Sequence, residues 1–288
     1  MKLTYFPIRG RAEPILLLLI DSGTEFEHEI IQYTTWGDLK ARGENGPPNF
    51  PFAALPVLTF GHGARGGNDT KLAETGAILM FLEGKLAAAG TSPSPPDAKA
   101  RLEMIRCASS FLLTRLFSLV SPTWLEPASR THLLRSLIHP YLSSLSHHLS
   151  SSFFPPLLTR PLTNGQPGTS LSPAAATAYT TLCLIQELFP RSLGPGQEGG
   201  MMKFFPRCEE LRTSVDQRPR IKEWIASGKR EVEWTTRSGG ELKVIKEMAD
   251  KYDRVEEVEE LFGHGKEGRG ERVGMEGVRE EVELDTGV

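Results

Sequence analysis

The stretch at residues 91–97, TSPSPPD, constrains the fold of this 288-residue chain more than any other. Pro93, Pro95 and Pro96 lack a backbone N–H and push the residues before them out of the helical region, so neither a helix nor a strand can run through. The stretch is therefore expected to be an interdomain linker. Ahead of it, residues 1–90 alternate in pattern. Leu3 and Tyr5 fit a short strand, 12–21 a helix closed by Ser22-Gly23, and 26–31 a second strand. Strands at 56–60 and about 70–72 follow, joined by the glycine-rich loop GHGARGGND, and then a helix from Glu74 to about Leu86. Behind the linker, 98–230 shows only helical patterns, clearest over 98–120, 173–189 and 205–227, so this part reads as an all-helical bundle. The Ser/Pro/Gly-rich run at 143–170 reads as a poorly ordered connection inside it.

Charge marks a third unit. Residues 231–288 hold 17 acidic and 9 basic side chains, net −8, while the whole chain carries −3, which leaves +5 on the first 230 residues. Within this unit Leu242, Ile245, Met248, Tyr252, Val255, Val258 and Phe262 recur at helical spacing, and after Gly263 the apolar period is lost. One amphipathic helix and then disorder is expected. A near-balanced total excludes the strong field of a nucleic-acid or membrane-surface binder. The longest aliphatic run, 15–20, is far short of the roughly 20 residues that span a bilayer. Cys107, Cys183 and Cys208 form no CxxC pair and no even disulfide set, and residues 1–11 lack the apolar stretch of a signal peptide. A reducing, cytoplasmic location is expected, with the cysteines as small buried apolar residues on helices. His139, His147 and His148 lie in serine-rich surroundings without carboxylate or cysteine at ligand spacing, so no metal is expected. The loop glycines Gly61, Gly63, Gly66 and Gly67 do not lead from a strand into a helix, which disfavours a phosphate loop.

Two segments carry chemistry: KLTYFPIRGRAEP at 2–14, and LPVL at 55–58 with LAETGAI at 72–78. Together they suggest a thioredoxin-like α/β domain. In that arrangement the proline of Leu55-Pro56 often keeps a cis bond, which turns the amide and carbonyl of Leu55 outward as a short docking edge for a peptide. The helix beginning at Glu74 aims unpaired N–H groups at the same place and favours a carboxylate there. No cysteine precedes Cys107, so disulfide exchange by this domain is excluded. The residue at the end of the first strand is Tyr5, whose phenol can donate to a thiolate supplied by the ligand. A free thiol with a pKa of about 8.5 is only a few per cent ionised at neutral pH. A charge-assisted hydrogen bond of about 1.5–3 kcal/mol lowers that value by one to two units and makes the bound thiol a competent nucleophile.

KLTYFPIRGRAEP resembles the N-terminal motif of cytosolic glutathione transferases of the tyrosine type, closest to the sigma class, and WGDLK at 36–40 fits that class as well. RPRIKEWIASGKR at 218–230 resembles the end of the helical domain of such proteins, so the resemblance covers the body and not the tail. It implies a thioredoxin-like domain followed by an all-α domain, glutathione as cosubstrate, a hydrophobic electrophile, no metal, and a homodimer engaged in detoxification. Tyr5 would activate the glutathione sulfur with electrostatic support from Arg11. Trp36 and Lys40 would hold the glycyl carboxylate, Leu55 and Pro56 the cysteinyl backbone, and Glu74 with Thr75 the γ-glutamyl end. Glu103 would reach glutathione from the partner subunit, and Phe6, Ile8, Ser109 and Leu113 would line the electrophile pocket. A sigma-like isomerase or peroxidase activity is a sub-case, and a non-catalytic binding or dimerisation module on the same fold is the alternative.

The chain departs from the family pattern in three places. Ala53 and Ala54 stand where a side-chain contact to glutathione is usual, and the 41–54 loop is longer and proline-rich. At the start of the helix at 173, Ser172 supplies the N-cap hydroxyl of a capping box, but Ala175 stands where its carboxylate belongs.

Overall fold

Leu3, Thr4 and Tyr5 are all buried, which places the first strand in the middle of a sheet rather than at its edge. The computed structural model describes residues 1–61, 69–86, 96–119, 127–150, 159–161, 169–194, 200–232, 234, 253 and 255–263. Strand β1 (Lys2–Tyr5) pairs in parallel with β2 (Glu27–Ile30) and antiparallel with β3 (Val57–Phe60), and β3 pairs antiparallel with β4 (Thr70–Ala73), giving the order β2-β1-β3-β4.

Helix α1 (Glu13–Ser22) is apolar almost all round and almost wholly buried, as a helix must be when it has packed neighbours on several sides. A single 3₁₀ turn, Gly10–Ala12, precedes it, and Gly23 closes it at φ 67, the expected left-handed C-cap. Helix α2 (Tyr33–Ala41) follows β2 and was absent from the sequence expectation, because only Trp36 of its residues is buried. The turn before helix α3 (Thr75–Leu86) completes the first domain.

The second domain begins with α4 (Pro96–Leu119), so Pro96 and Asp97 belong to a helix start instead of the linker; proline at a first helical position loses no bond. Residues 91–95 lie outside the described residues. A continuous helical run follows, made of α5 (Pro127–Leu133), a π-helical stretch (Leu134–Ile138) and α6 (His139–Ser150). It overturns the first part of the expected connection at 143–170, since Leu142, Leu145 and Leu149 bury an apolar stripe that the intervening serines mask in composition. Two short strands, β5 (Thr159–Pro161) and β6 (Thr169–Leu171), pair antiparallel, so the domain is not purely helical.

Helix α7 (Pro173–Leu188) is the buried centre of this domain and packs along α4. Its N-cap Ser172 accepts the Ala175 N–H at 3.1 Å, as the sequence predicts. Beyond α8 (Gly200–Phe204), the helix expected over 205–227 is two, α9 (Pro206–Asp216) and α10 (Pro219–Ala226), because Pro219 cannot continue the ladder. The last helix, α11 (Val255–Gly263), falls within the expected amphipathic segment, whose part at 242–252, like the tail after Gly263, lies outside the described residues. Cys183 and Cys208 are buried as expected, whereas Cys107 is exposed on the outer face of α4.

The two domains meet along α1, which packs on α3 within its own domain and on α7 and α10 of the other. At its C-terminal end the Asp21 carboxylate accepts the Leu171 N–H at 2.7 Å and the guanidinium of Arg218, with Nη2 at 2.8 Å.

Candidate active site

Because β1 is central and β3 starts only at Val57, the C-terminal end of β1 and the residues just before β3 open at the same end of the sheet. Tyr5 ends β1 and is 4 % exposed. Its hydroxyl oxygen accepts the Arg11 backbone N–H at 2.9 Å. No other partner is recorded for it among the described residues, so the phenolic proton remains to be donated. Burial pushes the phenol up to about 12, partly offset by the Arg11 amide and charge, so it stays protonated at neutral pH and acts as a donor.

Arg11 links two elements at this point. Its N–H holds Tyr5, and its carbonyl accepts the Thr75 hydroxyl at 3.2 Å, which brings the N-terminus of α3 against the 3₁₀ turn. The Arg11 side chain is exposed. Glu74, immediately before α3, is also exposed and sits at φ 68, a left-handed conformation that costs a non-glycine residue about 1–2 kcal/mol and tends to occur at functional sites. The Leu55-Pro56 bond is cis, as the sequence implies. Leu55 has no recorded main-chain partner among the described residues.

An aromatic row flanks Tyr5. Phe6 lies 5.7 Å from Tyr5, 4.8 Å from Tyr33 and 5.8 Å from Trp36, measured between ring centroids, and Trp36 meets Phe50 edge-on at 4.9 Å. Lys40, one turn beyond Trp36, is exposed with its Nζ 6.0 Å from that ring. The altered loop is tied to β4 by Lys71, whose Nζ donates to Asn49 at 2.7 Å, and Ala53 adopts φ 51. Tyr5, Arg11, Trp36, Lys40, Leu55, Pro56, Glu74 and Thr75 thus come together around one end of the sheet.

The residues assigned to the electrophile fare unevenly. Phe6 and Ile8 follow Tyr5 directly, Phe6 partly buried and Ile8 buried. Ser109 does not line a cleft: it is fully buried in the helical domain, where its hydroxyl bonds the Ile105 carbonyl at 2.7 Å and the Tyr141 hydroxyl at 2.8 Å. Its polarity serves helix packing, because a buried hydroxyl must be satisfied. Leu113 is buried in the same core at 4 % exposure. Glu103 is exposed and held by Arg106, whose Nε and Nη2 donate to its two oxygens at 2.8 and 2.5 Å.

Several residues of this region escape motif reading. Tyr33 is one helical turn before Trp36, and its phenolic oxygen is buried without a hydrogen bond among the described residues. Behind the 3₁₀ turn lies a quartet of two cations and two carboxylates, with Arg9 and Glu13 buried and Glu187 and Arg230 partly exposed. Arg9 Nε donates to Glu13 at 3.1 Å and its Nη1 to Glu187 at 2.7 Å, while Arg230 Nε reaches Glu13 at 2.7 Å. The Arg9/Glu13 spacing of four was the one visible signal; Glu187 and Arg230 are joined to it only by folding. Both also line a cavity of about 680 Å³ with Tyr179, Cys183 and Lys222. Among the described residues no group of three metal-ligating side chains occurs, and the rings of His147 and His148 meet edge-on with centroids 5.6 Å apart.

No protein-family model matches the chain. Among curated proteins it is 40% identical to the glutathione S-transferase of Dirofilaria immitis over 84 residues, 29% of this chain and 34% of that protein. With glutathione S-transferase P of Caenorhabditis elegans it shares 37% identity over 82 residues, 28% of this chain and 33% of the relative. The chain thus spans about a third of the length of these relatives. A longer match, 26% identical, covers 78% of this chain and 88% of glutathione S-transferase alpha-5 of Rattus norvegicus. Among solved structures, the pi-class glutathione S-transferase of Onchocerca volvulus aligns at a TM-score of 0.59 and 21% identity, over 78% of this chain and 92% of that one. The sigma-class enzyme of Fasciola hepatica gives 0.59 and 23%, over 78% and 95%. The fold is that of the glutathione S-transferases, and the relatives spread over several of their classes.

Proposed function

We propose that this chain is a glutathione transferase of the tyrosine type, joining the glutathione thiolate to hydrophobic electrophiles. The observation that carries the reading is the Tyr5 hydroxyl, fixed by the Arg11 N–H at 2.9 Å and left with its own proton to give. A thiol placed against it takes that hydrogen bond as a thiolate, which stabilises the ionised form by about 1.5–3 kcal/mol. At neutral pH this raises thiolate from a few per cent to between roughly 30% and 80%, and holding nucleophile and electrophile together supplies the remaining acceleration.

The rest of the tripeptide follows from what surrounds Tyr5. The Leu55 edge before the cis proline pairs with the cysteinyl backbone. The free N–H groups of the first turn of α3, with Glu74 and Thr75, take the γ-glutamyl end. Trp36 and Lys40 take the glycyl carboxylate, and Arg11 adds positive charge. Phe6 and Ile8 belong to the apolar side on which the electrophile rests.

Within this reading the motif at 2–14 favours a sigma-like subclass, a cytoplasmic setting and a role in detoxification. A glutathione-dependent isomerisation or peroxide reduction would use the same thiolate, and product analysis separates it from conjugation. A homodimer is part of the proposal. Phe52, Met80, Met104 and Phe111 are large apolar side chains with 45% exposure or more, and a second copy would cover them. Glu103 would approach the partner's glutathione from that face.

The direct test is retention on immobilised glutathione, elution by free glutathione, and conjugation of 1-chloro-2,4-dinitrobenzene. Flow-through with no turnover overturns the reading.

A further inference from the structure

Trp234 lies beyond the part of the chain that resembles the family, yet it is 3 % exposed. Its ring covers the Arg9 guanidinium, whose carbon is 3.4 Å from the ring centroid. Its indole N–H donates to Glu187 at 2.6 Å, and Phe117 of α4 lies 6.3 Å from it. One side chain therefore touches the first domain through Arg9 and the second through Glu187 and Phe117.

Arg9 is the residue before the Gly10–Ala12 turn, and its carbonyl accepts the Glu13 N–H at 3.0 Å. Arg9 is 4 % exposed, its guanidinium bonded through Nε and Nη1, with Nη2 lacking a hydrogen-bond partner among the described residues. The aromatic face of Trp234 supplies the attraction and the exclusion of water that the hydrogen bonds leave incomplete. Two residues along the same turn, Arg11 holds the Tyr5 oxygen.

The turn has little slack at that contact. A Cβ on Gly10, which adopts φ +41, would stand 2.5 Å from the Tyr5 hydroxyl. A small shift of the turn would thus either crowd the phenol or withdraw the Arg11 amide from it.

We infer that Trp234 is a positioning residue: by clamping Arg9 between the two domains it keeps the Arg11 amide on the Tyr5 oxygen and so sets how strongly the phenol can donate. This rests on the glutathione transferase reading. It gives Trp234 a part in the chemistry without contact to the substrate, since an amide donated to the phenolic oxygen makes that phenol a better donor in turn.

The test uses the full-length chain carrying Trp234→Leu or Trp234→Phe, with the ultraviolet absorbance of bound glutathione thiolate followed against pH. Trp234→Leu is expected to raise the apparent thiol pKa by about one unit toward its free value. It should lower kcat at neutral pH about tenfold while the glutathione dissociation constant changes by less than about threefold. Trp234→Phe, which keeps a ring over Arg9, should recover most of the thiolate. An unchanged thiol pKa in folded Trp234→Leu overturns the inference. Should that variant not fold, Glu187→Gln weakens the indole contact without opening a cavity, and an unchanged thiol pKa there overturns it equally. A wild-type protein that binds glutathione with no thiolate signal overturns the functional reading itself, a distinguishable result.

Discussion

The Arg11 backbone N–H and the Tyr5 hydroxyl oxygen are 2.9 Å apart, and the same Arg11 accepts the Thr75 hydroxyl through its carbonyl. One residue of a 3₁₀ turn therefore joins the end of β1 to the start of α3, the two places that a thiol and a carboxylate of one small peptide would occupy.

Replacing the phenol isolates its role. Tyr5→Phe keeps the ring against Phe6 and removes only the donor, so glutathione affinity should be nearly unchanged while kcat with 1-chloro-2,4-dinitrobenzene falls tenfold or more. Equal rates for the two proteins would remove Tyr5 from the mechanism.

The pH profile should separate the two acids of the site. Because burial pushes Tyr5 up to about 12, the phenol remains a donor throughout the working range. The rise of kcat/KM with pH should therefore report only the glutathione thiol, with a midpoint below its free value of about 8.5 and a return toward it in Tyr5→Phe. A fall in rate between pH 8 and 10, about the range where an ordinary phenol begins to ionise, would contradict this.

Gly10 is a sharper probe of geometry. Its φ of +41 and the 2.5 Å between a would-be Cβ and the Tyr5 hydroxyl mean that Gly10→Ala must move the turn or the phenol. Turnover should be lost far more than stability, as measured by kcat beside the urea midpoint. Full activity in the variant would show that the turn adjusts freely.

The ion quartet around Glu13 should be sensitive to the loss of one cation. Arg230→Met leaves Glu13, which has no exposed surface, with one cation fewer, and breaking such a pair typically costs about 3–5 kcal/mol. Denaturant unfolding measures this, and a loss below about 1 kcal/mol would mean that Arg9 alone satisfies the carboxylate.

The docking of α11 should be acid-sensitive. His139 stacks on Phe262 at 4.9 Å between centroids, and burial holds its imidazole below its ordinary 6.5. A folded-state value below the unfolded one means that stability is full above 6.5 and declines as pH falls from there through the lowered value. The unfolding midpoint should drop between pH 7.5 and 5, and His139→Phe should reduce that drop. Identical slopes for the two proteins would exclude the imidazole.

The local sequence determined a good deal of this protein. KLTYFPIRGRAEP placed a phenol at the end of a strand, Leu55-Pro56 supplied the cis bond, and Gly23 and Ser172 ended and began helices, since each depends on neighbours within a few residues. Period alone also located α4, α7 and α11, which bury one stripe or all sides. Where the pattern was weak the reading failed: α2 buries one residue, the stripe of α6 is diluted by serine, and β5 and β6 have three residues each.

Tertiary structure decided what the sequence order hides. Ser109 is fully buried and bonded to Tyr141 because the bundle requires its hydroxyl to be satisfied. Glu187, Arg230 and Trp234 joined Arg9 and Glu13 only when the domains closed on α1. Such partners lie up to 225 positions from Arg9 along the chain, and nothing local marks them, because what selects them is the cost of leaving a buried charge without company.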